Sequence, residues 1–177
     1  MPIPVSAGSG ASFTPCPAGV HQAVCVDVVD MGNLETVWAG VKKIKHVIRL
    51  VWQVEERMED GKPFLIQSRY TASLHEKARL RKDLENWRGR PFTEAELKSF
   101  DLEVLLGVNC LLNVVQNPKD GKTYANVTAV MPLKKGMEKM HPEGYTRVCD
   151  REDAPTTHGT DDSDDASSHI TDDDIPF

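Results

Sequence analysis

Apolar and polar residues alternate along five stretches of this chain, and between the third and the fourth the period lengthens to that of a helix. Val24, Val26 and Val28 alternate with Cys25, Asp27 and Val29 in a β-branched run from about Val20 to Met31-Gly32, which predicts a first strand. Asn33 to Gly40, carrying Trp38, reads as a loop. In the next run Ile44, His46, Ile48, Leu50, Trp52 and Val54 share one face, expected inward, and Lys43, Lys45, Val47, Arg49, Val51 and Gln53 share the other. Glu59-Asp60-Gly61-Lys62 is a turn signal, and Phe64 to Thr71 completes a hairpin as strand three. Leu80, Leu84 and Trp87 then fall at i, i+4 and i+7, predicting a helix over 76–87 that Gly89 and Pro91 stop. Thr93 and Glu96 have capping-box spacing, and a second helix is expected through Leu97, Phe100 and Val104 to Gly107. Strands four and five, 108–115 and 124–131, flank a turn over 117–122.

Three strands, a helical insertion and a two-stranded hairpin make a mainly β chain. The order is that of the five-stranded Greek-key barrel of the OB-fold, in which a helix commonly plugs the barrel between strands three and four. A small α+β sandwich has the same order. The expected organisation is a flexible arm over 1–19, rich in Pro, Gly, Ser and Ala, a domain over 20–149 and a tail over 150–177.

Charge sharpens that division. The net charge of -6 over 177 residues averages a body of +3 and a tail of -9, since residues 150–177 hold ten acids and one base. The tail has too little apolar surface to offset the entropy of ordering, and is expected to be disordered in isolation. Yet it ends Asp172-Asp173-Asp174-Ile175-Pro176-Phe177. Ile175 and Phe177 fit a small apolar pocket, Pro176 lowers the entropy lost on docking, and the aspartates with the terminal carboxylate can meet Lys or Arg at its rim. A plain solubilising tail has no need of such an end.

These six residues resemble the C-terminal tip of the bacterial single-stranded DNA-binding proteins. The resemblance implies an OB-fold body that binds and protects single-stranded DNA, and a tail that recruits replication, recombination or repair proteins. The middle of the chain, with Tyr70-Thr71-Ala72-Ser73-Leu74-His75-Glu76-Lys77, Trp87-Arg88-Gly89-Arg90 and Phe92-Thr93, is similar to a group of phage and prophage proteins linked to replication. The body departs from the bacterial family: its usual N-terminal strand sequence is missing, and residues 1–19 precede the first strand. The family's tetramer and stacking positions are therefore not carried over, and a homo-oligomer is left open.

An OB-fold binds strands across the outer face of strands two and three, flanked by the loops joining strands one to two and four to five. There Lys43, Lys45 and Arg49, with Gln67 and Arg69 beside them, make a cationic track for phosphates, extended in principle by Arg79, Arg81, Lys82, Arg88 and Arg90 of the helix. Trp38 in the first flanking loop is the leading base-stacking candidate, and Tyr124, next to Lys122 in the second, follows. Trp52 falls on the inward phase and reads as core, Tyr70 is open between core and stacking, and Trp87 reads as the barrel plug.

Other chemistry is thin. Cys16, His21 and Cys25 have part of a zinc-knuckle spacing without its paired Cys-x2-Cys start, so no metal site is assigned. Phosphate-cradling and hydrolase motifs are missing, no cofactor is implied, and no enzymatic role is expected. No apolar run approaches a membrane span, no export signal is visible, and the four cysteines are irregularly spaced, so a reduced, cytoplasmic protein of a bacterial host is expected. The alternatives are an OB-like protein–protein adaptor without DNA binding, and a DNA-processing enzyme bearing the same tip.

Overall fold

The computed structural model describes residues 14–151, so most of the expected N-terminal arm and all of the tail beyond Arg151 lie outside the described residues. Five strands, β1 (Gly19–Trp38), β2 (Val41–Arg57), β3 (Pro63–Thr71), β4 (Asn109–Lys119) and β5 (Lys122–Met131), form one antiparallel sheet. Its order is β3-β2-β1-β4-β5. The first three strands form a meander and β4 returns to lie beside β1, as in a Greek key. The sheet does not close: β3 and β5 are its two edges, where a barrel would pair them.

The connection from β3 to β4 carries α1 (Arg79–Arg88) and α2 (Glu94–Lys98). α1 stands against both edge strands. Its Arg79 lies over the Tyr70 ring of β3 at 5.1 Å and donates from Nη2 to the Val127 carbonyl of β5 at 2.6 Å. Tyr70 Oη in turn donates to Asp83 Oδ2 at 2.8 Å, one helical turn beyond Arg79. A side-chain staple thus spans the seam that no backbone ladder closes. Under it lies the main core, with Trp52 and Trp87 at 6.2 Å between ring centroids and Trp87 Nε1 donating to the Asn109 carbonyl at 2.9 Å. Trp87, expected as a barrel plug, lies in the core of a sheet that is not a closed barrel, and Trp52 and Tyr70 are both core.

Several expectations need correction. β1 does not stop at Met31-Gly32 but runs on to Trp38. Gly32, at a φ of 71°, sits in a register shift between Asp30 and Asn33, and its N–H is taken up by Asp30 Oδ1 at 2.8 Å. A glycine read as a strand end is absorbed as a bulge. Consequently 33–40 is not a loop: the connection is the two-residue turn Ala39-Gly40, both with positive φ (49° and 77°) as a tight hairpin turn of primed type requires. The second long hairpin likewise turns on Asp120-Gly121 alone. The second helix ends at Lys98, because the Asp101 side chain accepts the Glu103 N–H at 2.9 Å and starts a separate 3-10 turn, Leu102–Leu105. The Thr93–Glu96 capping box is present. Cys16, inside the expected arm, is buried, and its carbonyl accepts from the Gln116 side chain at 2.9 Å.

The last described segment, 132–151, returns across the outer face of the sheet as a strap. Tyr145 and Met140 cover Val24, Val26 and Val51. Polar ties do the rest. Gln22 Nε2 donates to the Glu138 carbonyl at 2.6 Å, Asn109 exchanges two bonds with the Met140 backbone (2.7 and 2.9 Å), and Gln53 exchanges two with Glu143 (2.6 and 2.7 Å). The strongest tie is buried Asp27, which accepts from Tyr145 Oη (3.0 Å), Arg147 Nε (3.1 Å) and the Val148 N–H (2.8 Å). Arg147 also forks onto Glu103 at 2.8 and 2.9 Å, binding the strap to the 3-10 turn. Among the described residues no helix is long and apolar enough to cross a membrane.

Burial alone raises the Asp27 carboxyl's pKa, but the bonds from Val148, Arg147 and Tyr145 outweigh it and hold it below the ordinary carboxylate range. Its stabilisation is therefore complete above the unfolded value near 4 and is lost as pH falls through the lower folded value. Asp27→Ala is expected to cost about 3 kcal/mol in urea unfolding at neutral pH, since it strands Arg147 and the Val148 N–H. The variant should also lose part of the wild type's acid sensitivity, and hydrogen exchange should show 138–148 opening first.

Candidate nucleic-acid interface

The β1–β2 hairpin outruns the core, and its alternation decides what it displays. Leu34 pairs with Lys45, Thr36 with Lys43 and Trp38 with Val41, so these six side chains share one face of the hairpin. Along β2 that face continues without a break through Val47, Arg49, Val51 and Gln53. On β3 it is joined by Arg69 opposite Arg49 and Gln67 opposite Val51. Trp38, Lys43, Lys45, Arg49 and Arg69 therefore lie on a single outer surface, and no outward position of β2 from Val41 to Gln53, or of β3, is acidic. Trp38 is there by strand register rather than by loop position, with half of its surface exposed.

The outer face is not uniformly open. At its inner end Val51 and Gln53 lie under the strap, leaving Lys43 and Arg69 exposed and Arg49 partly covered. Arg49 Nε is buried with no hydrogen-bond partner. Desolvation first, and then the neighbouring Arg69 guanidinium, lower its pKa against the opposing effects of Tyr145 and Asp27. Asp27, whose charge acts on Arg49, is paired beneath the strap with Arg147.

Other residues expected at the site fall elsewhere. Ile44, expected inward with Ile48 and Leu50, is 74% exposed, because that phase of β2 has left the core behind by the time it reaches the hairpin. Lys122 and Tyr124 stand on the β4–β5 hairpin, with β1 and β4 between them and β2, so the sheet does not bring them together with the Trp38 cluster. Four of the helix-region bases are ion-paired within the structure, Arg79 with Asp83, Arg81 with Glu85, and Arg88 and Arg90 with Glu96, while Lys82 is exposed. His21 bonds the Pro17 carbonyl at 2.7 Å and Cys25 Sγ points to the Asp27 carbonyl, and among the described residues no cluster has the makings of a metal site. Tyr145 was missed by pattern reading. It lies in a segment without periodicity, yet it borders Arg49, and Arg151 lies over its ring at 5.6 Å. The tip residues Asp172, Asp173, Asp174, Ile175, Pro176 and Phe177 lie outside the described residues.

A scan against protein-family models and a search of curated proteins return no match.

Of the three tryptophans, Trp38 is exposed while Trp52 and Trp87 are buried. Acrylamide should quench one emitting population strongly and leave a shielded remainder. Trp38→Phe should abolish the quenchable part with no change in unfolding midpoint.

Proposed function

We propose that this protein binds single-stranded DNA without strong sequence preference, across the outer face of β2 and β3 and along the β1–β2 hairpin. The observation that carries the reading is the shared face of Trp38, Lys43, Lys45, Arg49 and Arg69, a stacking plane in line with cations and free of outward acids. The strand order supports it, being that of an OB-type barrel opened between β3 and β5, and in such barrels strands two and three carry the ligand. The strand's phosphates lie over the bases of β2 and β3 while bases stack on Trp38. Lys122 and Tyr124, on the opposite hairpin, make a second and separate contact. In this reading the acidic segment ending Asp172–Phe177 recruits replication, recombination or repair proteins, as the resemblance to the bacterial single-stranded DNA-binding proteins implies.

Titration with a fluorescent oligonucleotide, with and without magnesium, tests the reading against the alternatives. Binding without cleavage supports it, no binding leaves an adaptor, and magnesium-dependent cleavage an enzyme. Replacing Lys43, Lys45 and Arg49 together by Gln should weaken binding and flatten the slope of log K against log salt by roughly 0.7 per lost phosphate contact. Trp38→Ala should cost about 1–3 kcal/mol with the slope nearly intact. An unchanged slope in the triple variant would place the site elsewhere.

The tail is tested separately. Deleting Phe177 leaves every side-chain charge in place, so DNA affinity should hardly move, while capture of replication or repair enzymes in a pull-down should be lost. Equal capture by both forms would reduce the tail to a solubiliser.

A further inference from the structure

The β1–β2 hairpin has a second face, opposite to Trp38 and the cations. On it Glu35 pairs across the strands with Ile44, and Val37 with Lys42. Val37 and Ile44 are 62% and 74% exposed, side by side on one face, and among the described residues nothing covers them. The four residues form a two-by-two array. The apolar pair occupies one diagonal, and the other holds Glu35 and Lys42, ion-paired at 2.9 Å.

We infer that this face is a self-association surface, on which a second copy of the chain docks by a two-fold axis along the Val37–Ile44 diagonal. The choice of axis follows from the array. Rotation about that diagonal lays Val37 on the partner's Val37, Ile44 on the partner's Ile44, and Lys42 on the partner's Glu35, with the reciprocal ion pair formed by symmetry. The other diagonal would set Lys42 against the partner's Lys42, and an axis along either edge would set Val37 against a charge. One arrangement is thus both apolar on apolar and charge on opposite charge. In it each ion pair is exchanged between chains rather than lost, so no charge is left unpaired on docking. The two hairpins cross near a right angle, an established geometry for stacked sheets. Trp38 and Lys43 stay exposed and Lys45 half-buried on the far side of each hairpin, so two strand-binding faces point outward. The patch is small against a standard interface, and the dimer is a weak, reversible one.

The inference needs no nucleic acid, and its test uses none, so it fails or stands independently of the DNA-binding reading. Sedimentation equilibrium of the full chain, up to about 1 mM, should show the mass rising from one chain of 19.7 kDa toward two. Ile44→Glu, at an exposed position and so harmless to folding, should abolish the rise. Glu35→Lys and Lys42→Glu each put two like charges on the face, of opposite sign in the two variants. Each alone should remain monomeric, and an equimolar mixture should regain the dimer, which an ion pair confined within one chain cannot explain. A wild type that stays monomeric throughout, a dimer unaffected by Ile44→Glu, or a mixture that does not associate overturns the inference.

Discussion

β1 pairs with β2 from Ala23 to Trp38 and with β4 only from Gly19 to Val24, so its two neighbours overlap on just Ala23 and Val24. The whole sheet pivots there. Immediately beyond, Cys25 exchanges backbone bonds with Gly107 and Val108 (2.8 and 3.1 Å), which satisfies the strand where β4 diverges, and a register shift between Cys25 and Asp27 turns the chain. One bulge residue at that point sets Asp27 on the outer face opposite Val51, where a buried carboxylate can hold the strap. Were the two pairings to overlap further, β1 would be an ordinary central strand. The hairpin would then not leave the core, and its second half would have no free face to display.

From that pivot the functional surface follows by subtraction. The strap covers the outer face over Val24, Val26, Val51 and Gln53, and the staple from Arg79 holds together the opposite edges of the sheet. What remains open is the distal hairpin and the adjoining ends of β2 and β3. The body's bases are therefore sorted: Arg79, Arg81, Arg88 and Arg90 of α1 and the following loop are engaged by Asp83, Glu85 and Glu96, whereas Lys43 on the hairpin remains exposed to solvent. A positive net charge on the body says nothing about this sorting, because it counts a staple and a docking cation alike.

Local pattern determined a good deal of this protein. The five alternating runs, the helix stripe of Leu80, Leu84 and Trp87, the capping box at Thr93 and the outward phase of Lys43, Lys45, Arg49 and Arg69 were legible, since each depends on side-chain period and on contacts a few residues apart. Tertiary structure decided the rest. Gly32 carries the same local signal whether it ends a strand or bulges it, and the choice fell to the long β1–β2 ladder, which made Trp38 a strand residue. Whether the sheet closed depended on how α1 filled the gap between β3 and β5, and periodicity within a strand carries no information about a partner across a seam. The strap has no period at all. Its path is set by Gln22, Asp27, Gln53 and Asn109, polar residues spread over 88 positions of sequence that meet it only once the sheet has brought them to one face.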